Sequence, residues 1–197
     1  YSSAASDVYK RQVYRLPSVL KGENVLTIRL PFDRRTALEW CYLIGNFGVM
    51  TDGINNTLTE KPEKLEFGDI TRQKMPFYGG NITYIKEIMV DKKKHMYLPI
   101  PNYSGALISV RTDGDSSEQI VYCSPYIADL GIKEPGLCRI EITLYGNRFN
   151  MFGQLHNCNR SEQYYGPYTW RTDGAVWSRE YQCKPAGILS SPLIYVK

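Results

Sequence analysis

The sequence predicts an all-β protein of the sandwich or jelly-roll type, and three observations carry that expectation. Apolar and polar residues alternate in short runs bounded by turn residues, the pattern of half-buried strands. No stretch of the 197 residues sustains a 3.6-residue period. The aromatic content is tyrosine-heavy, 16 Tyr against 6 Phe and 3 Trp, and tyrosine suits strand positions where a ring packs while its hydroxyl stays wet.

The organising stretch runs from Pro135 to His156, because a shorter version of it occurs once before. Gly22 and Gly136 each open an alternating run, and Leu26/Ile140, Ile28/Ile142, Leu30/Leu144 and Arg34/Arg148 follow at a common offset of 114 residues. That offset is the size of one β-sandwich domain. The chain therefore reads as residues 13–61, the C-terminal part of a truncated β-sandwich plus linker, followed by one complete module over residues 62–197.

In chain order, residues 1–12 lack any apolar period, and Ser6-Asp-Val-Tyr-Lys-Arg-Gln12 matches the in-frame translation of a sequencing-library adapter. They are expected to be disordered. Strands are expected at Val25–Leu30 and at Leu38–Val49. An unpartnered half-sandwich would expose strand edges and lower solubility. The polar segment Thr51–Lys64 is the expected connection, with room for one short hairpin. Further strands are expected at Leu65–Gly68, Ile82–Val90, Met96–Ile100, Ala106–Arg111, Gln119–Cys123, Arg139–Leu144 and Leu193–Lys197. Asp113-Gly114 marks a hairpin, and Asp129–Gly136 reads as a loop or a single helical turn.

Composition narrows the function classes. A formal charge of +4 with basic residues scattered outside Lys92-Lys93-Lys94 argues against a nucleic-acid partner. No apolar run is long enough for a membrane-spanning helix. Two histidines and five cysteines without C-x-x-C spacing indicate neither a metal site nor a disulfide framework, and no cofactor is expected. Unpaired thiols favour the cytoplasm, with a secreted or periplasmic location left open. Cys123 and Cys138 flank neighbouring strands and stand within possible reach of one another.

Leu20-Lys-Gly-Glu-Asn24 before an alternating strand is similar to the closing strands of galactose-binding-like sandwich modules in bacterial glycoside hydrolases, including family-two and α-L-rhamnosidase-like enzymes. Pro76–Tyr84, Tyr145–Asn157 and Tyr181–Leu189 resemble, in that order, the accessory C-terminal region of such large enzymes. The resemblance covers residues 13–197. It implies a galactose-binding-like β-sandwich, and it implies that the catalytic carboxylates belong to a separate domain of the same polypeptide.

No catalytic residue is therefore expected here. Glu39, Asp69, Asp129 and Glu141 are the acids a chain of this size carries in any case. The functional candidates lie in the aromatic-rich stretch from His156 to Trp177. Sugars present apolar C–H faces ringed by hydroxyls, so their sites combine flat aromatic platforms with polar side chains. Tyr164, Tyr165, Tyr168, Trp170 and Trp177 supply platforms. Arg148, His156, Asn157 and Arg171 supply hydrogen-bonding groups.

The alternative is a loop that packs its own aromatics over an open end of the sandwich or against a neighbouring domain. Three readings stand side by side. One is a noncatalytic accessory module that binds carbohydrate or braces the enzyme. The second is a wall of the active site that contacts substrate held by another domain. The third is a surface adhesion-type sandwich, against which the unpaired cysteines argue.

Overall fold

The computed structural model describes residues 13–16, 18–29, 31–35, 41–162, 166 and 169–196. The chain divides into two compact units, Tyr1–Leu43 and Ile44–Lys197.

In the first unit, Asn24 closes a turn on itself. Its Oδ1 accepts from the Leu20 amide at 2.9 Å and its Nδ2 donates to the Leu20 carbonyl at 2.8 Å. Residues 23–29 join no ladder, so the expected strand from Val25 is not formed, and Leu30 lies outside the described residues. Alternation supplies one apolar face, but a strand also needs a neighbour for its amides and carbonyls. Leu26 and Ile28 are exposed, whereas Ile140 and Ile142, their counterparts at the common offset, are fully buried.

The second unit is nearly all β. Its strands are β1 (Gly48–Asp52), β2 (Asn55–Thr59), β3 (Ile82–Val90), β4 (Lys94–Pro99), β5 (Tyr103–Ser104), β6 (Leu107–Thr112), β7 (Gln119–Val121), β8 (Ile127–Lys133), β9 (Gly136–Tyr145), β10 (Gly187–Ile188) and β11 (Tyr195–Val196). Among the described residues a short 3₁₀ turn (Ile70–Arg72) and a four-residue helix, α1 (Phe149–Phe152), accompany them. Of the expected strand Leu38–Val49, residues 38–40 lie outside the described residues, 41–47 join no ladder, and Gly48 and Val49 open β1. β1 and β2 form the hairpin for which the connection had room, and it clusters with the second unit. The Val49 amide donates to the Lys74 carbonyl at 2.8 Å.

Two sheets make the sandwich, one ordered β3-β9-β6-β7 and the other β11-β4-β8. Their inner faces meet in one core. Val90, Ile108, Val110, Val121, Ile140, Ile142 and Leu144 come from the first sheet, and Met96, Leu98, Ala128 and Leu130 from the second. Each of these side chains other than Ala128 contributes roughly 1.5–3 kcal/mol by leaving water. β9 is the centre of the larger sheet, pairing antiparallel with β3 over nine residues and with β6 over six. That explains why its alternation is the cleanest in the sequence.

β8 replaces the expected loop at Asp129–Gly136. It pairs with β4 across a register shift in which Leu130 has no residue opposite it, and Gly131 takes φ 72° there. On edge strand β3, Lys86 occupies a position of inward parity between Tyr84 and Ile88 yet remains exposed. All five cysteines are free, with Cys138 buried and Cys123 exposed. No helix among the described residues is long and apolar enough to cross a membrane.

Candidate functional site

The candidate stretch begins where β9 ends. Gly146 lies so close to the Gly79–Gly80 backbone that a Cβ would stand 2.7 Å from the Gly79 carbonyl oxygen, which forces a glycine there. The chain then turns into α1, with Asn147 Oδ1 accepting from the Phe149 amide at 3.0 Å. Arg148 stands exposed at the head of this turn of helix. Behind it, Lys184 Nζ lies 3.9 Å from the centre of the Phe149 ring, a cation–π contact.

The loop folds back on itself through a clip between residues 156–158 and 176–178. The Cys158 amide donates to the Val176 carbonyl at 2.7 Å, and the Ser178 amide to the His156 carbonyl at 2.9 Å. Asn157 and Trp177 form the bridge at its centre. His156 Nδ1 lies 2.9 Å from the Ser178 carbonyl. Because a carbonyl only accepts, Nδ1 carries the proton in this bond.

The aromatic rings of the clip point into the body of the module. His156 stands 4.8 Å from Tyr181 and 6.4 Å from Trp177, and Tyr181 meets Phe77 edge-on at 5.3 Å. Phe77, Tyr181, His156 and Trp177 thus form one continuous chain of edge-on and tilted ring contacts. Such pairs contribute about 0.5–1.5 kcal/mol each beyond the area they bury.

Asn157 is equally engaged. Its Nδ2 donates to Glu162 Oε2 at 2.6 Å and to the Thr169 carbonyl at 3.2 Å, while its Oδ1 accepts from the Asn159 amide at 2.8 Å. Thr169 is fully buried, and both its amide and its hydroxyl donate to the Gly166 carbonyl. The next two residues turn outward. Trp170 is 41% exposed and Arg171 is exposed.

The structure thus brings His156, Asn157 and Trp177 together as the inner scaffold of the loop, with Trp170 and Arg171 on its outer side. Tyr164, Tyr165 and Tyr168 lie outside the described residues. Among the described residues no hydrogen bond or ring contact joins Arg148 to the others. Phe77, Tyr181 and Thr169 are the scaffold residues that sequence reasoning missed. Phe77 and Tyr181 each stood near the start of a resembling segment, and Thr169 lay within the candidate stretch, but no residue type there marked them as scaffold.

The acids are occupied locally. Asp69 Oδ1 accepts from the Thr71 amide at 3.0 Å and caps the 3₁₀ turn. Asp129 Oδ1 lies 2.5 Å from His95 Nε2 and accepts from the Gly131 amide at 2.8 Å. These bonds, that of His95 first, hold its carboxyl below the ordinary range. Glu141 pairs with Arg111 and Arg139 and is lowered chiefly by the Arg111 bond. Glu39 lies outside the described residues. Among the described residues no group of three or more metal-ligating side chains converges.

No protein-family profile matches the chain, and no curated protein matches it. Two solved structures resemble it in fold. A rhamnosidase from Novosphingobium sp. PP1Y is 17% identical with a TM-score of 0.44, the match covering 84% of this chain and 16% of that one. A GH2 beta-galacturonidase from Eisenbergiella tayi bound to glycerol is 15% identical with a TM-score of 0.35, covering 77% and 22% respectively. The chain spans less than a quarter of the length of either.

Proposed function

We propose that this chain is a noncatalytic β-sandwich accessory module of a bacterial glycoside hydrolase, of galactose-binding-like type, and that its 156–177 loop meets carbohydrate. One observation carries the reading: fully buried Thr169 is followed directly by an exposed tryptophan and an exposed arginine. An aromatic face held by a fixed backbone, with a guanidinium beside it, is the arrangement that suits a sugar ring and its hydroxyls. The resemblance of residues 13–197 to accessory regions supports the glycosidase context. The inward engagement of His156, Asn157 and Trp177 favours a bracing role as a second reading.

Glycan-array binding by the full chain tests this. Binding that falls about tenfold in Trp170→Ala, with the fold retained by circular dichroism, supports a carbohydrate site in the loop. No binding by the folded wild-type chain overturns it in favour of bracing.

A further inference from the structure

The smaller sheet carries a second arrangement on its outer face. Tyr195 of β11 pairs directly with Tyr97 of β4, and Tyr97 pairs directly with Asp129 of β8. Directly opposed residues share a face. Met96, Leu98, Ala128 and Leu130 are all buried against the core, so the three intervening side chains stand outward in one row. The row crosses two strand spacings, about 10 Å. Tyr195 is 59% exposed.

His95, two residues before Tyr97, lies on the same face. Its ring stacks on that of Tyr97 at 4.6 Å and 7°. The Asp129 carboxylate, when ionised, can only accept, so His95 Nε2 donates to it and the neutral ring keeps Nδ1 as an acceptor. The register shift between Met96 and Tyr97, with the Gly131 amide bonded to Asp129, fixes the carboxylate in place. One end of the row is an exposed aromatic ring. The other offers Asp129 Oδ2 and His95 Nδ1 as acceptors for hydroxyl donors.

From this row we infer a second saccharide-binding site, formed by Tyr195, Tyr97, His95 and Asp129 on the outer face of the three-stranded sheet. The inference rests on the reading that the module meets carbohydrate. A ring packed on Tyr195 would direct a following sugar unit along the row, its hydroxyls donating to Asp129 and His95. The row ends in a carboxylate, which sets an acceptor for sugar hydroxyls beside the aromatic rings, with exposed Ile127 and Ile132 flanking it on the same face.

Affinity electrophoresis of the full chain through gels containing rhamnogalacturonan, galactan or xylan tests it, using wild type, Trp170→Ala, and Trp170→Ala combined with Tyr195→Ala or Asp129→Asn. The expected result is partial retardation in Trp170→Ala that drops about tenfold further in either double variant, each folded by circular dichroism. Retardation abolished by Trp170→Ala alone, or unchanged by the added substitutions, overturns the second site and leaves the loop reading standing. Retardation insensitive to Trp170→Ala but lost with Tyr195→Ala supports the second site and removes the loop from sugar binding. A folded wild-type chain retarded by none of the three polysaccharides overturns both.

Discussion

Asn150 and Lys184 are joined twice: the Asn150 side chain donates from Nδ2 to the Lys184 carbonyl at 2.7 Å and accepts at Oδ1 from the Lys184 amide at 2.9 Å. The buried amide thus stands in for a strand neighbour, tying α1 to the segment that leads into β10. Asn150→Ala leaves both backbone groups of Lys184 without that partner. It is expected to destabilise the module by about 2–4 kcal/mol in urea unfolding. Asn150→Asp sets a carboxylate oxygen against the Lys184 carbonyl in a buried site and is expected to cost at least as much as alanine at neutral pH.

Gly146 is expected to tolerate no side chain. Gly146→Ala drives its Cβ into the carbonyls of Gly79 and Gly80, where backbone has to shift, at a cost of about 3 kcal/mol or more. Gly131→Ala is the comparison, because a Cβ there meets nothing within 4 Å while φ stays at +72°. It carries only the left-handed backbone cost of about 1–2 kcal/mol. Thermal unfolding of the two variants side by side separates steric from conformational loss.

Acid stability is expected to depend on Asp115. Burial disfavours its charge, but the Thr112 hydroxyl and amide, together with Lys133, more than offset that and hold the carboxyl below its ordinary value. A carboxyl lowered in the folded state stabilises above the unfolded value, and that stability is lost as pH falls through the folded value. Melting temperature should therefore fall as the pH drops through and below the ordinary carboxylate range. Asp115→Asn should flatten part of that slope.

Cys183 is expected to be a slow thiol. Burial, with a smaller contribution from Asp69, pushes it up to about 11, so little thiolate exists at mildly alkaline pH. Exposed Cys123 and Cys158 should take up a thiol reagent first, and half-buried Cys183 and buried Cys138 later, as read by peptide mapping. The stabilising share of Cys183 is present below the ordinary thiol value and is lost as pH rises toward about 11.

The sheet cores were legible because their side chains obey one rule. Ile82–Val90 appears with the bounds its alternation gives, and β9 extends the expected Arg139–Leu144 by three residues at its start and one at its end. β8 was hidden because Gly131 and the unpaired Leu130 break the period at the point where the strand bulges. Residues 25–29 show the converse, since pattern alone does not supply a neighbouring strand. The candidate loop was legible in residue type but not in direction. Nothing local separates Trp170, which faces out, from Trp177, whose ring meets that of His156 at a tilt, because Thr169 and the clip at Asn157 decide that orientation.

Lys86 has a consequence for how such a module lives beside others. An ammonium on the core side of the outermost strand of the larger sheet penalises any foreign strand laid alongside, since sealing that edge would strip the charge of water. Runaway stacking of one molecule's sheet onto the next is thereby discouraged at its longest border. Along β3, then, contact with another molecule falls to side chains and not to the main chain.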